Sequence, residues 1–242
     1  MHGRARTRLP PDSTCDMLRV FAFIGLEVVV QLLVESHPRL WVSAFIAEWH
    51  QPLVAASLPR TAAWLVAPLG SCELQAPDDA LRALLRDMLR QRGFKPTGRS
   101  KPSSEYLLRA SAEGTLKPIN PAVDACNAVS LHSGIPMSVL DLDKLTEPLA
   151  IRCAPQGESY VFNPAGQLIS LGGLPCLYDA VGACANAVKD AQRTKTSDGT
   201  RRTLSILWSD RSLLAHTRAA QTLYEALLAD AARLSPVQVQ QA

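Results

Sequence analysis

Between Lys117 and Leu145 the sequence reads KPINPAVDACNAVSLHSGIPMSVLDLDKL, and polar side chains stand there where an apolar core would be expected. Asp124 and Asn127 are three residues apart, so a helix places both on one face. Val123, Cys126, Ala128 and Val129 are left to fill its other sides. A carboxylate or amide buried without a partner costs about 1–3 kcal/mol, so this polar stripe requires protein partners, water or a ligand. Two readings are open: a network that caps the helix and tethers loops, or the wall of a binding pocket.

Other chemistries find little support. The chain has no GxSxG, HExxH, phosphate-binding loop or GxGxxG. His2, His37, His50, His132 and His216 are far apart, and a metal centre built from them would need distant elements to converge. Cys126 and His132 are six apart, which aligns them poorly on a helix for a nucleophilic pair. Cys15, Cys72, Cys126, Cys153, Cys176 and Cys184 form neither a zinc knuckle nor a CxxC pair and read as reduced, mostly buried thiols. Neither metal nor cofactor is expected.

The 242 residues are 47% apolar, enough for a large core, and only 5% aromatic, so that core must be mainly aliphatic. A net charge of +3 is too small to mark the whole molecule as a nucleic-acid binder, and any such role rests on local patches. Arg90, Arg92, Lys95, Arg99 and Lys101 form one basic stretch without an acid; Lys189, Arg193, Lys195, Arg201 and Arg202 form another. Arg4, Arg6 and Arg8 precede an apolar run that contains Glu27 and Gln31 and lacks a cleavage signal. That run is too short and polar to span a bilayer. The expectation is a flexible basic leader over 1–18, a globular region from 19 to 242, and a cytoplasmic location.

Val28 to Val34 and Leu40 to Ile46 read as two strands of one sheet separated by His37-Pro38. Pro77-Asp78-Asp79 opens a helix that presents Leu81, Leu84, Leu85, Met88 and Leu89 on one side and stops at Gly93. A second helix starts at Ser103 and ends near Gly114. A third begins at Asn120-Pro121, a favoured cap followed by a residue with no N–H to leave unpaired, and closes at Gly134. Ala150 to Cys153, Tyr160 to Phe162, Leu168 to Leu171 and Thr203 to Trp208 read as strands, and Ser212 to Leu234 as a long terminal helix. Ala180 to Asp190 fits helix, strand or loop. The class is α+β, a mixed or antiparallel sheet with flanking helices.

The segment containing Ile119, Asn120, Pro121, Val123, Asp124 and Asn127, followed by Ser130-Leu131, Gly134-x-Pro136 and Asp141-Leu142-Asp143, resembles the B3/B4 domain. This is the tRNA-editing module of the phenylalanyl-tRNA synthetase beta subunit, which also exists in freestanding form. Lys95-Pro96, Pro102 to Glu105, Arg109, Ile151-Arg152 and Gly157-Glu158 match its flanks, and Asp179, Asn186, Lys189-Asp190, Thr194 and Thr200 match its later spaced positions. The likeness runs over roughly 28 to 208. Ser138 stands where the synthetase pattern has histidine, Ala185 where freestanding members have Trp, and Lys189 where they have Arg.

The resemblance implies removal of a wrong amino acid from a charged tRNA. An aminoacyl ester is already activated, so a site need only orient water and stabilise an oxyanion. On this reading Asn127, Ser138 and Asn186 are the catalytic donors or water holders. Asn120, Asp124, Ser130, Asp141, Glu158, Lys189 and Thr194 line the substrate site, and Arg99, Lys101, Arg193, Lys195, Arg201 and Arg202 contact RNA. The expected partner is an aminoacylated tRNA. A non-catalytic tRNA- or aminoacyl-binding module and a small-molecule pocket remain as rival readings.

Overall fold

The structure, a computed structural model, describes residues 30–241. Contacts divide the chain after Val30, and the unit from Gln31 holds every helix and strand described. The leader expected over 1–18 and the start of the globular region at 19 lie outside the described residues.

Five helices and eleven strands occur among the described residues: β1 (Gln31–Val34), β2 (Leu40–Trp49), α1 (Pro59–Val66), α2 (Asp79–Arg90), α3 (Ser103–Ala112), α4 (Pro121–Ser133), β3 (Met137–Asp141), β4 (Leu149–Cys153), β5 (Ser159–Val161), β6 (Leu168–Ser170), β7 (Pro175–Asp179), β8 (Gly182–Asn186), β9 (Arg202–Asp210), α5 (Leu214–Leu228), β10 (Ala232–Pro236) and β11 (Gln238–Gln241). One sheet has the order β11-β1-β4-β7-β8, a second β10-β2-β9-β3, and β5-β6 is a separate hairpin. β1 pairs parallel with β11 and β4, and the other pairings are antiparallel. The fold is α+β, as the sequence indicates.

β9 is the centre of the second sheet, paired on both sides and buried along nearly its whole length. Strand alternation divides its side chains. Leu207 joins Phe45, Trp49 and Tyr224 in a core shared with the helices. Leu204, Ile206 and Trp208 take the opposite face and are fully buried. The α4 helix reaches the helix-side core through Ala122, Ala125, Cys126 and Val129, the i, i+3, i+4, i+7 stripe of a core-facing helix.

The ends of α4 follow directly from sequence. Asn120 caps it by accepting the N–H of Val123 (3.1 Å), and Pro121 occupies the first turn. Gly134 closes it in the left-handed region at φ 73°, where a side chain would be strained. A Cβ there would also meet Pro77 Cβ at 2.6 Å and Leu81 Cδ2 at 2.9 Å. Asp78 likewise caps α2 by accepting the N–H of Leu81 (2.8 Å).

Two expectations require correction. β1 and β2 belong to different sheets. His37 Nδ1 accepts the backbone N–H groups of Arg39 (3.3 Å) and Leu40 (2.8 Å), which turns the chain out of one sheet and into the other instead of closing a hairpin. The terminal helix ends at Leu228, not Leu234: residues 232–236 pair antiparallel with β2, Leu234 lying opposite Ala47. The ambiguous segment 180–190 contains strand β8. Cys72, Cys126, Cys153, Cys176 and Cys184 are free thiols, three of them buried.

Gly134→Ala is expected to lower unfolding stability by about 1–3 kcal/mol through backbone strain, with the contacts at Pro77 and Leu81 adding to it. Urea denaturation at an unchanged m-value measures this; a loss below about 0.5 kcal/mol contradicts the packing described.

Candidate functional site at the seam between two sheets

β3 is an edge of one sheet and β8 an edge of the other. Where they meet, buried polar side chains replace a strand ladder. Ser138 on β3 is 1% exposed; its hydroxyl accepts the indole N–H of Trp208 (2.9 Å) and donates to Asp190 Oδ1 (2.7 Å). The same Oδ1 accepts the backbone N–H of Asn186 at the end of β8 (3.3 Å). Asp190 Oδ2 has no hydrogen-bond partner among the described residues, and it is not among the atoms sealed from solvent without a partner.

Burial pushes the Asp190 carboxyl from 3.8 up to about 7, against the opposing pull of the Ser138 and Asn186 donors and of Lys195. Desolvation thus outweighs two hydrogen bonds and a nearby cation, and leaves an acid that exchanges its proton near neutrality.

Asn186, also 1% exposed, shapes the loop that follows β8. Its Oδ1 accepts the N–H groups of Val188 (2.8 Å) and Lys189 (3.0 Å), and its Nδ2 donates to the Tyr160 hydroxyl, which donates in turn to the Lys189 carbonyl. This turn presents the Lys189 ammonium 4.2 Å from the Phe162 ring centroid and 5.7 Å from that of Tyr106. Lys189 makes no salt bridge among the described residues. Burial first, then the charges of Arg99 and Lys195, lower its pKa. Lys195 donates to the Phe162 carbonyl (2.6 Å), and burial lowers its pKa while Asp190 opposes the shift. The backbone bond from Ser103 N–H to the Ala187 carbonyl (2.8 Å) anchors the end of the 90–101 basic stretch beside this loop. Three cations from two distant stretches therefore gather around Lys189, and of them Lys195 acts on Asp190.

The structure brings together Ser138, Asn186, Lys189, Lys195 and Arg99. Asn120 lies at the border, its Nδ2 donating to Thr196 Oγ1 (3.1 Å) beside Lys195. Asp124 accepts the Ile119 N–H (2.8 Å), and burial raises its pKa. Asn127, one turn further along α4, is half-buried and its amide has no partner among the described residues. Lys101 follows Arg99 in the same loop.

Other candidates are engaged elsewhere. Ser130 donates to the Ile135 carbonyl (2.7 Å), and Thr194 to the Cys184 carbonyl (3.1 Å). Asp141 accepts the Thr200 hydroxyl (2.7 Å), and Glu158 accepts the Tyr178 hydroxyl. Arg193 forms a two-pronged pair with Asp179 (2.7 and 2.9 Å), and Arg202 pairs with Asp143 (3.1 Å). Arg201 is exposed just before β9, its carbonyl bonded to Trp49 N–H (2.8 Å).

Asp190, Tyr160 and Trp208 are the members that sequence reasoning left out of the site. The signal for Asp190 was a charge directly after an apolar run, adjacent to Lys189. Among the described residues, no cluster of three or more His, Cys, Asp or Glu side chains is placed to hold a metal, and no helix is long and apolar enough to cross a membrane.

This geometry falls within a stretch with known relatives. The B3/4 domain family matches residues 91–222, more than half of the chain, and the chain belongs to that family. It is 34% identical over 116 residues to the phenylalanine–tRNA ligase beta subunit of Bartonella henselae, a match that covers 46% of this chain and 14% of that subunit. The corresponding subunit of Haemophilus influenzae is 33% identical over 89 residues, covering 37% of this chain and 10% of that subunit. The chain therefore corresponds to a small part of these relatives. An N-terminal fragment of the phenylalanyl-tRNA synthetase beta-subunit from Pyrococcus horikoshii aligns over 87% of this chain and 52% of its own, with a TM-score of 0.49 and 13% identity.

Asp190 also sets a pH dependence. Its folded pKa of about 7 exceeds the unfolded 3.8, so the native state holds a proton that the unfolded chain releases between these values. This contribution to stability is complete below about pH 4 and is lost as pH rises through 7. Asp190→Asn is expected to remove that decline, a difference on the order of 4 kcal/mol between pH 4 and 8. His37, held down at about 4 chiefly by burial, works in the opposite sense in both proteins and cancels in the comparison. Parallel pH profiles for the two proteins contradict the assignment.

Proposed function

We propose that the chain hydrolyses the ester of a mischarged aminoacyl-tRNA. The observation that carries this reading is Asp190: one carboxylate oxygen fixed by donors from two sheets, the other without a protein partner, and a pKa near neutrality. Such a group accepts a proton from water as that water attacks the ester carbonyl, then returns it to the departing ribose hydroxyl. Asn127, with its amide unpartnered, supplies a donor for the substrate. Lys189, Arg99 and Lys195 meet the phosphates at the acceptor end. The relatives named as phenylalanine–tRNA ligase beta subunits support a tRNA partner.

The second reading, a non-catalytic tRNA- or aminoacyl-binding module, is favoured by a separate observation. The Ser138 hydroxyl both donates and accepts within the protein, and all of the Asn186 amide bonds are internal. Two of the three catalytic candidates therefore serve as positioning groups, and turnover falls to Asp190 and Asn127.

Release of labelled amino acid from a panel of mischarged tRNAs separates the two. The hydrolase reading expects release from at least one pair, rising with pH through about 7 and reduced about a hundredfold or more in Asp190→Asn. Salt-sensitive tRNA binding with no release from any pair contradicts it and establishes the binding module.

Either reading requires the basic cluster. Replacing Arg99 and Lys189 together with Gln should weaken tRNA binding and flatten the log K against log[salt] plot by about 1–2. Unchanged affinity and slope remove this surface from the RNA interface.

A further inference from the structure

Asn120, Asp124 and Asn127 follow one another along one face of α4, at spacings that bring successive turns into line. The helix packs against β3, the strand that carries Ser138. At its start Asn120 donates to Thr196 Oγ1 (3.1 Å), the residue after Lys195, and Lys195 bridges to Leu140 on β3. Ser138, two positions before Leu140, holds Asp190 (2.7 Å), and the Asp190 charge is felt at Cys126 on α4. The polar face of α4 therefore runs beside the line from Lys195 to Asp190. Asn127 stands toward the Asp190 end, and Asp124 one turn nearer the start.

Asp124 is the charged member of this face, and no cation answers it. Its Oδ1 accepts the Ile119 N–H (2.8 Å), which fixes the direction of the carboxyl group. Oδ2 has no hydrogen-bond partner among the described residues, and no salt bridge among them reaches the group. Burial raises its pKa, and the Ile119 N–H is what opposes the rise. Attraction to the positive end of α4 favours a carboxylate in the first turn but does not require withdrawing it from water. A half-buried carboxylate without a cation is a place where a cation fits. An aminoacyl ester brings one. Its α-ammonium is borne by the carbon next to the ester carbonyl, so the groups that read the two must stand close together. Residues three apart on a helix have Cβ atoms about 5–6 Å apart, near enough for Asn127 to meet the carbonyl oxygen and Asp124 the ammonium of one substrate.

On the reading of the site as one for aminoacyl esters, we propose that Asp124 is its specificity residue for a free α-amino group. Oδ2 accepts from the substrate ammonium while Asn127 holds the adjacent carbonyl, so the site takes aminoacyl esters and rejects N-acylated or peptidyl ones. The rejection follows from charge. An N-acyl group replaces the cation by a neutral amide and leaves the half-buried carboxylate unpaired. Lys189, Lys195 and Arg99 do not compensate, since none of them acts on Asp124.

The test is equilibrium binding, by calorimetry, of the full chain to 3′-aminoacylamino-3′-deoxyadenosines, in which an amide replaces the ester and blocks hydrolysis. Alanine, serine, leucine, phenylalanine and tyrosine forms are compared, each with its amine free and N-acetylated. At least one free-amine analogue is expected to bind saturably, about tenfold or more tighter than its N-acetyl counterpart. Asp124→Asn keeps an acceptor for the Ile119 N–H and is expected to fold, which circular dichroism verifies. In this variant the two forms are expected to bind nearly equally. Equal affinity of the two forms in the unaltered protein, a preference that survives in Asp124→Asn, or no saturable binding of any analogue overturns the proposal. Turnover is read separately. Release from mischarged tRNA without an amine preference overturns the ammonium site and leaves the hydrolase reading standing; an Asp124-dependent preference without release does the reverse.

Discussion

A carboxyl group largely removed from water must be held by donors, and at Asp190 those donors come from two different sheets. Ser138 reaches it from the edge of one and the Asn186 N–H from the edge of the other. Two sheet edges that meet without a ladder would otherwise leave backbone and side-chain polar groups unsatisfied. Here a single side chain closes the gap. Trp208 depends on the arrangement too, since its fully buried indole N–H is satisfied by the Ser138 hydroxyl. On the far side, Lys195 bridges to Leu140 and so covers part of the β3 edge while placing a cation near the carboxyl.

The same constraint sorts the polar residues around the seam into those committed to the fold and those left over. Ser138, Asn186 and Tyr160 are fully employed in building the turn from 186 to 190. What remains unemployed is one oxygen of Asp190, the Lys189 ammonium between two aromatic rings, and the Asn127 amide. A protein that buried these groups for stability alone would do better with apolar residues of similar size.

Much of this was legible in the sequence where the signal is local. Asn120-Pro121 and Gly134 fix the ends of α4 because capping and left-handed backbone are properties of single residues. Asp78 and Gly93 do the same for α2. The seam is different in kind. Ser138 and Asp190 are 52 positions apart, and nothing in either neighbourhood records that the two strands will meet. The helical composition of Ser212 to Leu234 continues past the point where the helix ends, because pairing with β2 decides the state of residues 232–236. Similarly, the apolar stretches on either side of His37-Pro38 read as strands of one sheet, but the parallel partners of β1 are β4 and β11, far along the chain. The basic stretches were visible as charge runs; that Arg193 and Arg202 would be spent on Asp179 and Asp143 was not.

The proposed chemistry turns on the protonation of one side chain. Carbon-detected NMR of the aspartate carboxyls, recorded from pH 3 to pH 9 and assigned with Asp190→Asn, reads it directly. The expected midpoint for Asp190 is near 7, well above the aspartates held low by their donors at Asp179 and Asp210. A midpoint near 4 would mean that the carboxyl is solvated and fully ionised at neutral pH, and that the seam holds no group poised to move a proton.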